Sequence, residues 1–518
     1  MGHIVVASRK SDLARIQAQN VVAELLRHHT SLTVTHHYRA SLGDKNLKDP
    51  LWKIPERGVF TQDFHNGLVQ GKFDIVVHSW KDLPVEPSPN TEIIATLPRA
   101  DMRDLLLVKK NRWEKIQSDQ KIRLYTSSPR RAYNLQPFVK EYLPGSINHC
   151  EFLDIRGNVP TRLQKMFDGE GDGLILAKAA WDRLVLAPGE EYLAMQKELK
   201  SLLQKCLWMV LPLKLNPNAP AQGALAIEAK KGREDLKALF SPIQCASTAR
   251  AVVKERQVLK SYGGGCHQKI GCGVFYRDYG EVQMLKGLTE GGQILDSIEL
   301  SRVGDCDGGS EALKEAGELS SSVFKKKECF PEDLKKARWF ERKSVEFSRT
   351  KNRHHLVARA LALPDGFKPE PGSCVWTAGL KTWKHLAQRG LWVNGSSESL
   401  GEQEKRRLQA LIPDQPWLKW THTQGTPSKS MGLCATYKLV PNAKMPDITG
   451  KRNFYWMSGS SMEEALKHYP EILDANHYCG PGNTYFAIKA LLKGHPGKVE
   501  VRLDYDHWVN TTWAEEVL

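Results

Sequence analysis

Apolar positions in the first third of the chain fall in short runs, each closed by polar residues and most followed by a longer amphipathic stretch. Ile4–Ala7, Phe73–Val77, Leu105–Val108, Ile122–Thr126 and Leu174–Ala177 are such runs, and their length and side chains predict buried strands. Behind the first, Ala14, Ala18, Val21, Val22 and Leu25 recur at helical spacing on one face. Strand and helix in alternation imply parallel α/β layers. Pro212, Pro217 and Pro220 mark a crossing segment, after which Ala224–Ala229 opens a smaller α/β unit. Gly304–Gly309 reads as a turn or insertion and Glu311–Lys327 as a terminal helix. Residues 328–343, charged and interrupted by Pro331, read as a linker; the tryptophan-rich remainder has strand and helix signals of its own. No internal repeat stands out.

A length of 518 residues predicts about three or four domains. The net charge of +15 points to acidic partners: nucleic acid, anionic lipid or a polycarboxylate. The densest basic run, Lys325-Lys326-Lys327, ends at Glu328 and reads as a solvated face, not a nucleic-acid tail. Ten cysteines without a CxxC pair imply neither a disulfide framework nor a paired zinc site. A zinc set of Cys245, Cys266, His267 and Cys272 is conceivable but lacks the usual spacing. The first apolar run is too short for a signal peptide, and no stretch reaches membrane-spanning length. The expectation is a cytoplasmic chain bound neither to membrane nor to nucleic acid.

The chemistry concentrates at His78-Ser79-Trp80-Lys81-Asp82-Leu83-Pro84, at the carboxyl end of the run Phe73–Val77. In open α/β sheets that is where ligands bind. Arg9, Arg130, Arg131, Arg156, Arg162 and Arg183 fall in short polar loops after expected strands. One such arginine is an ordinary surface residue; six in loops of one type favour a shared anion-binding cleft, where guanidinium forks grip carboxylates in pairs.

The His78–Pro84 stretch resembles the catalytic loop of the porphobilinogen deaminase family. Further stretches match in the family's order: Ala7–Ala14, Ser41–Lys45, Arg57–Thr61, Tyr125–Arg131, Asp154–Leu163, Leu176–Leu184, Gln222–Leu225 and Gly263–Gln268. The resemblance covers about residues 1–325. It implies two periplasmic-binding-protein type II-like domains, the first discontinuous (1–99 and 208–221) and the second spanning 100–207. A small α/β domain, 222–327, would carry the cofactor, and the chain would be a monomer. Asp82 would be the acid/base that helps ammonia leave porphobilinogen and stabilises the resulting cation, with Lys81 beside it. Cys266 would hold a dipyrromethane cofactor through a thioether, contacted by Asp82, Lys81, Arg130, Arg131, Ser128 and Asp44. Substrate carboxylates would meet Arg9, Ser11, Gln17, Arg156, Arg162, Arg183, Ser79, Lys53 and Arg57. No metal is implied. Asp12, Arg57, Gln62, Pro129, Ala221 and Gly263 depart from the family pattern without removing a catalytic group.

Residues 344–518 contain Phe454–Ser461 and Cys479–Thr484, each an apolar run ending in a small-polar turn that opens a helix. Helix starts of that kind bind anions through backbone N–H groups. With Ala435–Val440 upstream, they resemble the later part of uroporphyrinogen-III synthase. That likeness implies an α/β domain closing hydroxymethylbilane into a macrocycle, with Tyr437, Ser458, Ser460 and Thr484 as substrate contacts. The rival expectations are a non-catalytic anion-binding protein of the same two-lobed fold, and a deaminase whose C-terminal domain serves only interaction.

Overall fold

The computed structural model describes residues 2–39, 62–264, 268–277, 279–301, 323–335, 337–348, 351, 353–401, 406–425 and 431–513. The chain divides into two compact units. One comprises Met1–Tyr276, Val282–Glu299 and Arg407–Leu411; the other comprises Arg277–Glu281, Leu300–Arg406 and Ile412–Leu518.

In the first unit, β1 (His3–Arg9), β2 (Thr33–Arg39), β3 (Ile75–Ser79) and β4 (Thr91–Ala95) belong to one lobe. The second lobe holds β5 (Asp104–Lys109), β6 (Lys121–Tyr125), β7 (His149–Leu153), β8 (Gly173–Ala177) and β9 (Cys206–Val210). The chain then returns to the first lobe as β10 (Leu225–Lys230). The sheet orders are β2-β1-β3-β10-β4 and β7-β6-β8-β5-β9. In each, three parallel strands are followed by a strand that runs antiparallel to both its neighbours. The two lobes therefore repeat one topology that the sequence does not display as a repeat.

All five expected strands lie within two residues of their places, and all five anticipated apolar helix positions are buried in the helix Asp12–His28. Val21, Leu25, Ile75, Val77 and Ile227 form one core cluster with Leu236 and Phe240. The crossing differs from expectation. Ala224–Ala229 does not open a third domain; it is the strand between β3 and β4, and Trp208–Val210 pair with β5 in the second lobe. An apolar run without alternation fits any buried strand, so its pattern does not say which sheet receives it.

A three-stranded sheet follows, β11 (Gly271–Arg277), β12 (Gly280–Leu288) and β13 (Ile294–Ser301). Ala251 and Leu259 of the helix Ala246–Ser261 pack on its Cys272, Val274 and Leu285. The helix expected from Glu311 lies almost wholly outside the described residues; Lys326–Glu328 is a single 3-10 turn.

The second unit holds β14 (Cys329–Phe330), β15 (Phe340–Ser344), β16 (His354–Val357), β17 (Val375–Thr377), β18 (Gly395–Ser396), β19 (Trp417–His422), β20 (Met431–Pro441), β21 (Asn453–Trp456), β22 (Asn476–Cys479) and β23 (Lys498–Val501). They make a four-stranded sheet, β14-β21-β22-β23, and a six-stranded sheet, β15-β20-β19-β16-β17-β18. Residues 328–343 are thus not a bare linker, because their two ends are strands paired to β21 and β20. Buried Cys329 and Phe330 supply the apolar side chains that the charges around them obscured. Each sheet carries one matching buried pair on neighbouring strands: Trp420 Nε1 donates to His355 Nδ1 at 3.1 Å, and Trp456 Nε1 to His477 Nδ1 at 2.9 Å. No helix among the described residues is long and apolar enough to cross a membrane.

Candidate active site

Strand β3 is buried through His78 and ends at Ser79; Trp80–Asp82 then make one 3-10 turn. Trp80 is buried and its N–H donates to Ala224 O at 3.1 Å, which pins the turn to the crossing segment. Ser79 and buried Gln17 hydrogen-bond at 2.9 Å, tying the turn to the helix behind β1. With Trp80 held inward, Asp82 is left exposed and Lys81 half-covered. Burial lowers the Lys81 ammonium below its ordinary value; Asp82 opposes that shift, while Arg131 adds to it.

Arg130 and Arg131 lie in the first turn of the helix Pro129–Tyr142, not in an open loop. Pro129 fits there because the first helical position needs no N–H and favours the φ of proline. Ser128 caps the helix, its side chain accepting from the Arg131 N–H. Both arginines turn inward onto Asp104. Its Oδ2 accepts from Arg130 Nη2 at 2.8 Å and Asn216 Nδ2 at 2.9 Å, and its Oδ1 from Arg131 Nη2 at 2.7 Å and Gln222 Nε2 at 2.9 Å. Burial would raise this carboxyl, but Arg131 and Arg130 outweigh it and hold it well below the usual carboxylate range. Arg130 also donates to Asn216 Oδ1 and Pro217 O, so its fork is engaged by internal partners.

Arg162 sits in the helix Val159–Asp168, its Nε bonded to Gly157 O at 2.7 Å. Burial, with Arg131 and Arg156 nearby, lowers its guanidinium to about 10, against the pull of Asp82. Among the described residues no carboxylate lies within ion-pair distance of Lys81 or Arg162. Charges of the two lobes thus act on one another here: Arg131 on Lys81, and Asp82 on Arg162, which also has Arg131 and Arg156 nearby. A desolvated cation without a fixed counter-ion is costly, and a bound carboxylate lowers that cost.

Arg183 lies apart from this group: its Nη2 donates to Gly223 O at 2.8 Å, and burial lowers it to about 10. Arg9 is the last residue of β1, and Ser11 stands at the N-cap position of the helix after it without a side-chain capping bond. Asp44, Lys53, Arg57 and Cys266 lie outside the described residues. The glycines leading to Cys266 do show left-handed backbone, φ +94° at Gly263 and +64° at Gly264. A side chain at either would strain the chain there. The left-handed glycines and the cations each suit a bulky polycarboxylate. Of the zinc alternative, Cys272 is fully buried on β11, and no group of potential metal ligands occurs among the described residues.

Two of the buried carboxylates that escaped the sequence reading tie the lobes and the third sheet together. Asp104 is one; its only signal is a charge opening an apolar run. Glu255 is the other, gripped by Arg99 at 2.7 and 2.8 Å and accepting from the N–H groups of Ala221 and Val274. It joins the crossing segments to the third sheet.

Residues 4–238 match the family model "Porphobilinogen deaminase, dipyromethane cofactor binding domain". A porphobilinogen deaminase of Prochlorococcus marinus (strain NATL2A) is 34% identical over 268 residues, 51% of this chain and 77% of that protein. The chain belongs to the porphobilinogen deaminase family. Another P. marinus deaminase (strain MIT 9303) is 30% identical over 330 residues, 62% of this chain and 96% of its own length. That of Syntrophomonas wolfei is 35% identical over 266 residues, 51% and 78%. The periplasmic aliphatic sulphonate binding protein of Escherichia coli aligns at a TM-score of 0.25 with 12% identity, covering 51% of this chain and 71% of that one. A score so low carries no argument. The family membership makes this a transferase acting on a small pyrrole, in a fold that binds a dipyrromethane cofactor.

In the second unit, Ser458 caps the helix Gly459–Leu466, and its Oγ contacts Ser460 and Ser461 at 3.1 and 2.8 Å. Thr484 lies in the first turn of Asn483–Leu491. Tyr437 is in the other sheet, buried on β20, its phenol raised by burial against the pull of Arg359 and Arg342. His422, beside the Tyr437 ring at 5.8 Å, is lowered by burial and by Lys419, Arg359 and Arg342. Its Nδ1 is buried without a hydrogen-bond partner among the described residues.

Proposed function

We propose that the first unit condenses four porphobilinogens into hydroxymethylbilane, with Asp82 as acid/base and Cys266 as the covalent anchor. The observation that carries this is the exposed Asp82 carboxylate acting on Lys81 and Arg162, two cations that Arg131 also perturbs. Dipyrromethane, when bound, supplies the pyrrole carbon from which the product chain grows. Lys81 and Arg162 bind carboxylates of the pyrrole side chains, which fixes ring orientation before chemistry. The substrate's aminomethyl group, an ammonium at neutral pH, leaves as ammonia; the Asp82 carboxylate stands as a fixed negative charge beside the cation left behind and takes the proton released as the new carbon–carbon bond forms. Asp104 keeps Arg131 aimed from behind. The lobes are read as the periplasmic-binding-protein type II kind on the strength of their shared topology. A cytoplasmic, monomeric enzyme completes the reading, and the free thiols of all eight described cysteines are consistent with that compartment.

The test is the intact mass of the purified protein beside Cys266→Ala. An added mass equal to two condensed porphobilinogen units, absent from the variant, is expected. An unmodified mass that persists after incubation with porphobilinogen overturns the assignment in favour of a non-catalytic anion binder.

For the second unit the reading is a uroporphyrinogen-III synthase-like polycarboxylate site. Its support is the order β17-β16-β19 within the six-stranded sheet: β16 has its sequence neighbour on one side and β19 on the other. Ligands bind beyond the carboxyl ends of strands at such a reversal. Arg359 follows β16 there, His422 ends β19, Arg342 is close enough to perturb both, and Tyr437 acts on Arg359. Among the described residues neither Arg342 nor Arg359 has a carboxylate within ion-pair distance. Ser458, Ser460 and Thr484 lie at the carboxyl ends of the four-stranded sheet. Formation of uroporphyrinogen III by the full chain, lost in Arg359→Gln, is expected. Release of only the spontaneously cyclised isomer I from the unsubstituted chain refutes the reading.

A further inference from the structure

The helix Lys178–Val185 of the second lobe buries two polar donors completely, the Lys178 ammonium and the Trp181 indole N–H. Around Lys178 stand Asp182 Oδ2 at 2.6 Å and Asp101 Oδ2 at 3.6 Å; Asp101 is itself gripped by Arg103 at 2.7 Å. Two carboxylates and two cations balance in charge. An ammonium still has three N–H bonds to satisfy, and an indole N–H has one. The missing acceptors come from far along the chain. Lys178 donates to the carbonyl of Arg407, and Trp181 Nε1 to the carbonyl of Ala410 at 3.1 Å. Arg407 Nη1 donates in turn to Arg99 O at 2.7 Å, on the first crossing between the lobes. Leu408, Ala410 and Leu411 are all buried. Arg407–Leu411 is accordingly part of the first compact unit, although more than a hundred residues separate it from β13.

We propose that Arg407–Leu411 is an intramolecular clasp that completes the deaminase unit. It contributes main-chain acceptors to two buried donors, three buried apolar side chains, and one guanidinium contact to the crossing at Arg99. Backbone carbonyls suit this task, because they satisfy buried donors without adding charge to an already neutral cluster. The inference is independent of the catalytic assignment, since none of these groups is placed in the reaction. It means that the functional deaminase does not end where the family resemblance ends.

Hydrogen exchange of the full-length chain tests this by comparing the unsubstituted protein with Leu408→Asp/Leu411→Asp. Amides of 178–185 are expected to exchange about tenfold faster in the variant, as a local opening requires, while amides of 271–277 keep their rate. An unchanged rate over 178–185 overturns the proposal. So does an equal rise over both segments, since the residues would then matter only to global folding. Should the double variant fail to fold, Leu408→Ala is read by the same two segments, with about a threefold rise expected over 178–185 alone.

Discussion

Replacing Asp104 by Asn is the sharpest probe of how Arg130 and Arg131 are held. The carboxylate is almost fully buried and accepts four hydrogen bonds, from Arg130, Arg131, Asn216 and Gln222. An amide keeps the volume but removes the charge and turns one acceptor into a donor facing donors. Bonds to charged groups taken singly are worth ~1.5–3 kcal/mol each, but such values do not add within one network. Breaking a buried pair by removing one partner costs ~3–5 kcal/mol, because the remaining charge stays buried and unpaired. Here two guanidiniums are left, so the upper half of that range is expected. At a urea slope of ~3 kcal/mol/M, the unfolding midpoint of the first unit falls by roughly 1 M or more. The pH dependence supplies a second check. The carboxyl is held below its unfolded value, so its stabilisation is complete above about pH 4 and fades only as pH falls towards the depressed folded value. The gap between wild type and variant is therefore flat from pH 8 to 5. A midpoint shift below about 0.3 M, or a gap that closes between pH 8 and 5, would refute the reasoning.

Asp82→Asn is expected to lower deaminase turnover by ~10²–10⁴-fold while leaving unfolding within ~0.5 kcal/mol, since the side chain is exposed; a stability loss matching the activity loss would contradict its role. Ala221 holds φ +66° on the return crossing, a conformation that costs a side chain about 1 kcal/mol. Ala221→Gly is therefore expected to stabilise by about 0.5 kcal/mol after the entropy of glycine is counted, measured by urea titration. Burial lowers His477 to about 4 against an unfolded value near 6.5. Its folded imidazole is thus kept neutral, and the second unit loses up to about 3 kcal/mol as pH falls from 6.5 to 4. His477→Gln is expected to flatten that limb of the stability curve; an unchanged slope would show that another group governs it.

The strands of the first unit were legible because each is a short apolar run with a polar end, and burial enforces that pattern. What the pattern could not convey was partnership. Leu225–Lys230 and Cys206–Val210 look alike as sequences, yet one joins the first sheet and the other the second. The turn with Lys81 and Asp82 follows β3, where the apolar run before it predicts a strand end. The sequence assigns Arg130 and Arg131 to the cofactor, and the structure adds a buried carboxylate, Asp104, that grips both. Asp104 itself gives no spacing signal, because its four partners lie between 26 and 118 residues away in sequence. Cys329 and Phe330 were hidden by the charges around them, since two apolar residues are too few to register as a run.

The position of β10 between β3 and β4 has a consequence for biosynthesis. The second lobe is continuous from β5 to β9, so all its strands leave the ribosome ahead of β10. The first lobe begins earlier but lacks an internal strand until residue 230 emerges, leaving β3 and β4 with unpaired edges. Such edges are open to wrong pairing while they wait. The inserted lobe is accordingly expected to fold first, and a nascent chain arrested once Val210 has emerged but Leu225 has not to have a protease-resistant second lobe beside a sensitive first one.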